Sequence, residues 1–589
     1  MSAAAHGVGD RYDLPAPLAH FIAGASATVA LSFVVTVLVA RGRARAGRSR
    51  DVTVSLGALG ALGWGLGRTL GIVLLGVVLV AGVAGNASTV RNIAPTLVWV
   101  AWWVGLSLFV AFIGNVWPCL DPWRALFDGA DALVRRARGG RGLARGVPYP
   151  PALGLWPAAL LLLAVGWCEL VDLRAPVPRH VAALALVWSA LTWTGMLCFG
   201  PAVWRARGDV FAVYFAALGR FAPLAATADG HALRVRPLGR GLMEAGDAPP
   251  GGVAFVVVML AVVLFDGLLG TRLWRLMDGA VDAWAPGLDR EGYGLATGGL
   301  IAVWLALLGA YVIACRLTEA VLGARERRRP IAPAFVWTLV PIAVGYAVAH
   351  NLGYLLLRGQ DLIPLVSDPL GRGWDLFGTA DWMPDPRLVS PGLDWYVAVG
   401  SVVAGHVISI WLAHRLMLGL VDRPQRAALA SLPLTILMVG YTALSLWIIA
   451  EPLVRLPDAN ALKPHAVVGA AGAGRTRVHT GLEPAEAIVG ATDTRVEDAG
   501  VVERHQHEER QLGTLRRRRL LRVAVADGAQ RSHEDERSEP AHRRTSDQGR
   551  TIRSISTAPP SASAVTPTVV RAGRRPGGKC LAYSALTSG

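Results

Sequence analysis

Residues 252–270 read GVAFVVVMLAVVLFDGLLG, a run of nineteen residues with a single ionisable group, Asp266. At 1.5 Å of rise per residue a helix of that length reaches about 28 Å, close to the ~30 Å hydrocarbon thickness of a bilayer. A run this long and apolar reads as a membrane-spanning helix, the element that satisfies its own backbone hydrogen bonds in lipid. A carboxyl near one end of such a helix is costly unless it is paired, which marks Asp266 as a functional candidate.

Windows of about 19 residues find nine further runs of this kind, near 18–40, 68–85, 93–114, 151–171, 179–200, 294–316, 331–357, 393–418 and 427–450. The fold class that follows is all-α: a polytopic transmembrane helix bundle of about ten spans, forming a domain over 1–454, with a polar, disordered tail over 455–589. The 589 residues are 53% hydrophobic and only 17% charged, which agrees. The second run is the weakest, because the glycine-rich stretch 56–67 either extends it or lies in the interface. The first run is preceded by a polar segment without a basic region and is long enough to cross, so it reads as a retained helix and not a cleaved signal.

The net charge of +16 would suggest nucleic acid in a soluble protein. Here the arginines cluster in alternate short loops, at 41–50 with Arg68, 124–145, 205–240, 325–329 and 423–426, while the intervening loops carry acids such as Asp278, Asp282, Asp368 and Asp375. That alternation is topology information, not a nucleic-acid footprint. It places the arginine-rich loops in the cytoplasm and both termini outside, in a multi-pass protein whose partner is the lipid bilayer. The five cysteines are scattered, with no C-x-x-C pair, so neither a disulfide framework nor a zinc ribbon is indicated.

Beyond 455 there is no Trp or Phe, although the whole chain has 20 and 13 of them. Such a segment cannot bury a core. Its Arg/Ala/Gly/His/Pro texture fits either an ordinary disordered extension or GC-rich DNA read in a shifted frame.

Within the spans the ionisable groups are few: Glu169, Asp266, His350, His406 and His414, with His6 and His20 just before the first span. The arginine pattern puts all but His406 and His414 at or near the outer face, where one pocket would collect them. A metal-centred reading makes His6, Asp266, His350 and His406 ligands of a divalent transition metal such as zinc, with Glu169 and Asp266 in catalytic roles. His414 follows His406 by eight residues, about 12 Å further along the helix and about 80° round, so the two cannot share an ion. The bland reading makes Glu169 a snorkelling helix-end residue and each histidine an interhelical hydrogen-bond partner. The loop segment SDPLGRGWDLFGTA (367–380) is expected to fold over the pocket as a lid. Residues 208–224 are expected to form an interfacial amphipathic helix, and Trp117 and Trp123 interfacial anchors.

Five segments, HGVGDRYDLP (6–15), FDGLLGTRLW (265–274), PIAVGYAVAHNLGYLLLRGQ (341–360), SDPLGRGWDLFGTA (367–380) and WYVAVGSVVAGHVISIWLAH (395–414), resemble a family of multi-pass bacterial membrane proteins labelled fenitrothion hydrolase. The resemblance covers roughly 6–450 and implies hydrolysis of an organophosphorus ester, without catalytic residues to carry over. It departs at Arg415, where relatives tend to have an acid, and at Asp121, where an NPW-like motif reads DPW. The functional classes that stand are a metal-assisted hydrolase acting on a small-molecule ester, a proton- or cation-coupled permease, and a non-catalytic membrane assembly protein.

Overall fold

A computed structural model describes residues 18–40, 51–227, 230–285, 287, 289, 292–326, 329–421 and 423–453. The segment from 455 onward, His6 and most of the first arginine cluster lie outside the described residues. Among those described, ten helices are long and apolar enough to cross a membrane: Leu18–Leu38, Gly57–Ala84, Ile93–Phe112, Pro151–Leu170, Pro178–Phe199, Gly252–Leu269, Tyr293–Gly323, Ile331–Ser367, Pro391–Leu418 and Pro424–Glu451. The glycine-rich stretch before 68 belongs to the second span, which starts at Gly57.

The sixth span is buried almost all round, from Ala254 to Gly267, and the eighth over Val340–Tyr346. The other spans wrap these two and turn large apolar side chains outward, among them Leu62, Val187 and Ile436, the last 69% exposed. An outward face of this kind is stable in lipid and not in water. The chain is an integral membrane helix bundle.

The third span is not a plain α-helix. Its middle, Thr96–Leu106, is a π-helix of eleven residues between the short α-helical ends Ile93–Pro95 and Ser107–Phe112. Wide turns of this kind are rare and occur mostly at functional sites.

A three-stranded antiparallel sheet, absent from the all-helical expectation, ties loops together at the arginine-rich end. Strand β1 (Val52–Ser55) pairs with β3 (Ala232–Val235), which pairs with β2 (Leu224–Ala226), in the order β1-β3-β2. Thr53 faces Arg234, and Arg234 reaches both Asp51 and Glu244.

The helix Val210–Gly219 overturns the expectation of an interfacial amphipathic element. Val210, Phe211, Ala212, Val213, Phe215, Ala217, Leu218 and Gly219 are all buried and only Ala216 is exposed, so it presents no polar face to water. It is a non-spanning helix packed inside the bundle, tolerated there because its backbone is closed on itself and surrounded by protein. Trp117 and Trp123 are likewise buried, not interfacial anchors.

Candidate functional site

Two of the expected residues meet. His350 Nε2 lies 2.8 Å from Asp266 Oδ2, joining the eighth span to the sixth, and both side chains are largely buried. Tyr346, one turn before His350, stacks beside the imidazole with centroids 6.4 Å apart. Gly267 makes room for this arrangement: a Cβ there would lie 3.0 Å from the Tyr346 hydroxyl.

Glu169, at the end of the fourth span, faces the same pair, close enough to interact electrostatically with both Asp266 and His350. Glu169 and Trp103 line the same cavity as Asp266. Asp394 of the ninth span interacts with His350 from another side. Asp266, Glu169, Trp103, Ser107, Tyr214 and Asn351 are among the residues lining a cavity of about 40 Å³. The Ser107 hydroxyl donates to the Trp103 carbonyl one turn back, and Tyr214 lines the same wall. A polar space of that size holds a water molecule or two and no organic ligand, for which pockets of roughly 300 Å³ and more are usual.

His406 is not in this group. Its ring is fully buried, its Nδ1–H donates to the Val402 carbonyl of its own helix at 2.8 Å, and Tyr441 stands against it at 5.7 Å. Tyr346 is the aromatic neighbour of His350 and Tyr441 that of His406. His414 sits further along, with Nδ1 3.4 Å from the Ser431 hydroxyl and its ring edge-on to Phe33. Among the described residues no three of His, Cys, Asp and Glu come together as a group able to hold a metal ion. The pocket expected around Asp266, His350 and His406 thus divides into an Asp266–His350–Glu169 cluster and a separate histidine. The described side chains do not fit a metal centre, because Asp266 and His350 direct their ligating atoms at each other.

The loop expected as a lid is fastened elsewhere. Asn86 N–H donates to the Leu370 carbonyl at 2.8 Å and Ile93 N–H to the Pro369 carbonyl at 3.2 Å, and Leu370 packs against one end of the second, third and fifth spans. These contacts lie at the ends of those spans remote from the arginine-rich loops. Inside the loop the Asp368 carboxylate accepts from the Arg372 and Gly373 N–H groups. No residue of 367–380 lines the Glu169 cavity.

Two further ionic groups escaped the sequence reading. Asp172, just beyond the fourth span, holds His180 Nε2 at 2.7 Å and Arg174 Nε at 3.1 Å. Burial raises the Asp172 carboxyl, yet the hydrogen bonds from Arg174 and the charge of His180 outweigh it and hold the group below the usual carboxylate range. At the arginine-rich end Asp121 Oδ2 pairs with Arg205 Nε at 2.9 Å, and Asp209 accepts from the Thr192 hydroxyl at 3.4 Å. Each aspartate also caps a helix, Asp121 through Arg124 N–H and Asp209 through Ala212 N–H, both at 3.0 Å. Burial and the nearby Asp121 charge push the Asp209 carboxyl up. Only the spacing Asp-Pro-Trp-Arg at 121–124 and Gly-Asp at 208–209, each a helix-start signal, hinted at these roles.

Comparison with known proteins adds no relative: no protein-family model, no curated protein and no solved structure matches the chain.

Proposed function

We propose that the chain is a proton-coupled membrane permease in which Asp266 and His350 form the proton-exchanging pair and Glu169 is a second acceptor at the same cavity. One observation carries this reading: a carboxylate and an imidazole 2.8 Å apart inside the bundle, with the carboxylate on the wall of a cavity of water-molecule size. Ionisable groups so placed commonly mark proton or ion paths. The imidazole passes a proton through one nitrogen while the other stays hydrogen-bonded to Asp266, and water in the cavity joins the pair to Glu169. With the arginine-rich loops in the cytoplasm of a bacterial inner membrane, the pair opens toward the outer side.

The test is proton flux into vesicles holding the purified full-length protein and a pH-sensitive dye, driven by an imposed potential. Asp266→Asn and His350→Gln should abolish the flux, and Asp381→Asn in the exposed outer loop should not. Equal flux in all four proteins would end this reading.

A second reading, hydrolysis of an organophosphorus ester, is favoured by one specific observation. The segments that carry the resemblance to the fenitrothion hydrolase family, 265–274 and 341–360, are the ones that supply Asp266 and His350. An aspartate-oriented histidine is suited to take a proton from an attacking water. Fenitrothion hydrolysis by the purified protein, lost in His350→Gln, would establish it over the first.

A further inference from the structure

A second and larger cavity lies between the second, third, fourth and fifth spans. It has a volume of about 300 Å³, and its wall includes Trp99, Trp102, Trp117, Trp123 and Trp188. An apolar space of this size excludes water and accepts an apolar guest. Leu74, Val187 and Leu191 belong both to its wall and to the exposed surface of the spans, so the chamber opens sideways toward lipid.

Two features say what kind of guest fits. Trp99 donates its indole N–H to the Ala175 carbonyl at 2.8 Å and Trp123 to the Ser189 hydroxyl at 2.7 Å. Trp117 and Trp188 have buried Nε1 atoms with no acceptor among the described residues. These indole nitrogens are bonded to protein or enclosed by it and do not meet the chamber, whose wall is therefore almost wholly apolar and suits an acyl chain.

The second feature is charge. Arg68, Gly71, Leu75 and Val78 form one stripe of the second span, the last three on the chamber wall. Arg68 Nη2 reaches Asp128 at 2.6 Å, and Arg124, next to the chamber residue Trp123, reaches the same carboxylate at 2.8 Å. Two guanidinium groups on one carboxylate leave a positive charge at the chamber's arginine-rich end. Arg68 to Val78 spans about 15 Å along the helix, half of the ~30 Å hydrocarbon layer and so the depth of one leaflet.

We infer that this chamber is a binding site for an anionic phospholipid: one acyl chain fills the aromatic space and the headgroup lies on Arg68 and Arg124. The site is independent of the Asp266–His350 pair.

The experiment reconstitutes the full-length protein in vesicles that mix brominated phosphatidylglycerol or brominated phosphatidylcholine into unlabelled phosphatidylcholine, and reads tryptophan quenching. The anionic lipid should quench at a relative affinity about fivefold higher, as expected for one basic charge at a membrane surface. Arg68→Gln/Arg124→Gln should bring the ratio to about one, and Asp128→Asn, which frees both arginines, should raise it above the parent value. Ala185→Phe, which fills the chamber, should reduce quenching by both lipids. Equal quenching by the two lipids in the parent protein overturns the proposal. So does a ratio unmoved in both the arginine and the Asp128 variants, because a folding defect cannot explain two changes of opposite expected sign.

Discussion

Gly345 and Gly405 interlock where the eighth and ninth spans cross. A Cβ on Gly345 would lie 2.4 Å from the Ser401 carbonyl oxygen and 3.4 Å from the Gly405 Cα, and one on Gly405 would lie 2.5 Å from the Pro341 carbonyl oxygen. Small residues bring helix backbones together in lipid in just this manner. The contact sets the height at which His350, five residues on from Gly345, meets the sixth span.

Gly345→Ala and Gly405→Ala should therefore each destabilise the protein by about 1–3 kcal/mol, the usual cost of overpacking against groups that cannot move. Gly400→Ala, on the same ninth span with nothing within 4 Å of its absent Cβ, should be neutral. Thermal unfolding in detergent decides this, and three equal melting temperatures would contradict it.

The Asp266–His350 pair should show strong coupling in a double-mutant cycle. Removing one partner of a buried ion pair costs about 3–5 kcal/mol, whereas an ordinary interhelical hydrogen bond in a membrane is worth about 0.6 kcal/mol. Asp266→Asn and His350→Gln should each be severe and the double variant little worse than either. Additive small losses in unfolding free energy would reduce the pair to helix glue.

Asp172 supplies a pH dependence. Its carboxyl is held below the ordinary range in the folded protein, so it adds stability above the unfolded-state value of about 3.9 and loses it as pH falls through the lower folded-state value. Asp172→Asn should thus melt below the parent at pH 7, with a deficit that shrinks as the pH falls below about 4. A deficit constant down to pH 3 would rule out ionisation as its source.

Asp209 has the opposite sign. Its folded-state carboxyl is pushed up by burial and by Asp121, so ionising it costs stability that grows as pH rises from about 4 toward the folded-state value. Asparagine keeps the cap that Asp209 provides to Ala212 N–H. Asp209→Asn should match the parent at pH 4 and exceed it at pH 8. A variant that is weaker at pH 8 would show instead that the charge is held by Arg205.

Orientation in the membrane is open to labelling in a cysteine-free background. Met383→Cys and Trp284→Cys, at positions 80% and 85% exposed, should react with an impermeant maleimide from outside. Arg141→Cys should react only after permeabilisation, and the reverse pattern would invert the topology.

The ten spans were legible because each is a long apolar run bounded by charge, a signal that survives without knowledge of its neighbours. Asp266 and His350 were legible for the same reason, as costly groups in apolar sequence. What sequence could not supply was rotation about each helix axis. His406 and His350 look alike as lone histidines, but one bonds back to its own helix beside Tyr441 and the other meets Asp266 beside Tyr346. Tyr214 went unnoticed because the buried helix that carries it reads as short and apolar, like an interfacial segment. The partners of Asp121 and Asp172 come from other loops or from the next span, a relation that no local pattern encodes.

Two consecutive tryptophans on the π-helical turn of the third span, with ring centroids 6.2 Å apart, line different compartments. Trp102 lines the dry chamber and Trp103 the cavity of Glu169, and on the fourth span Cys168 and Glu169 are divided in the same way. The two compartments therefore share walls built from adjacent residues of the third and fourth spans. A substitution that shifts the backbone at Trp102 or Cys168 should consequently be felt in both.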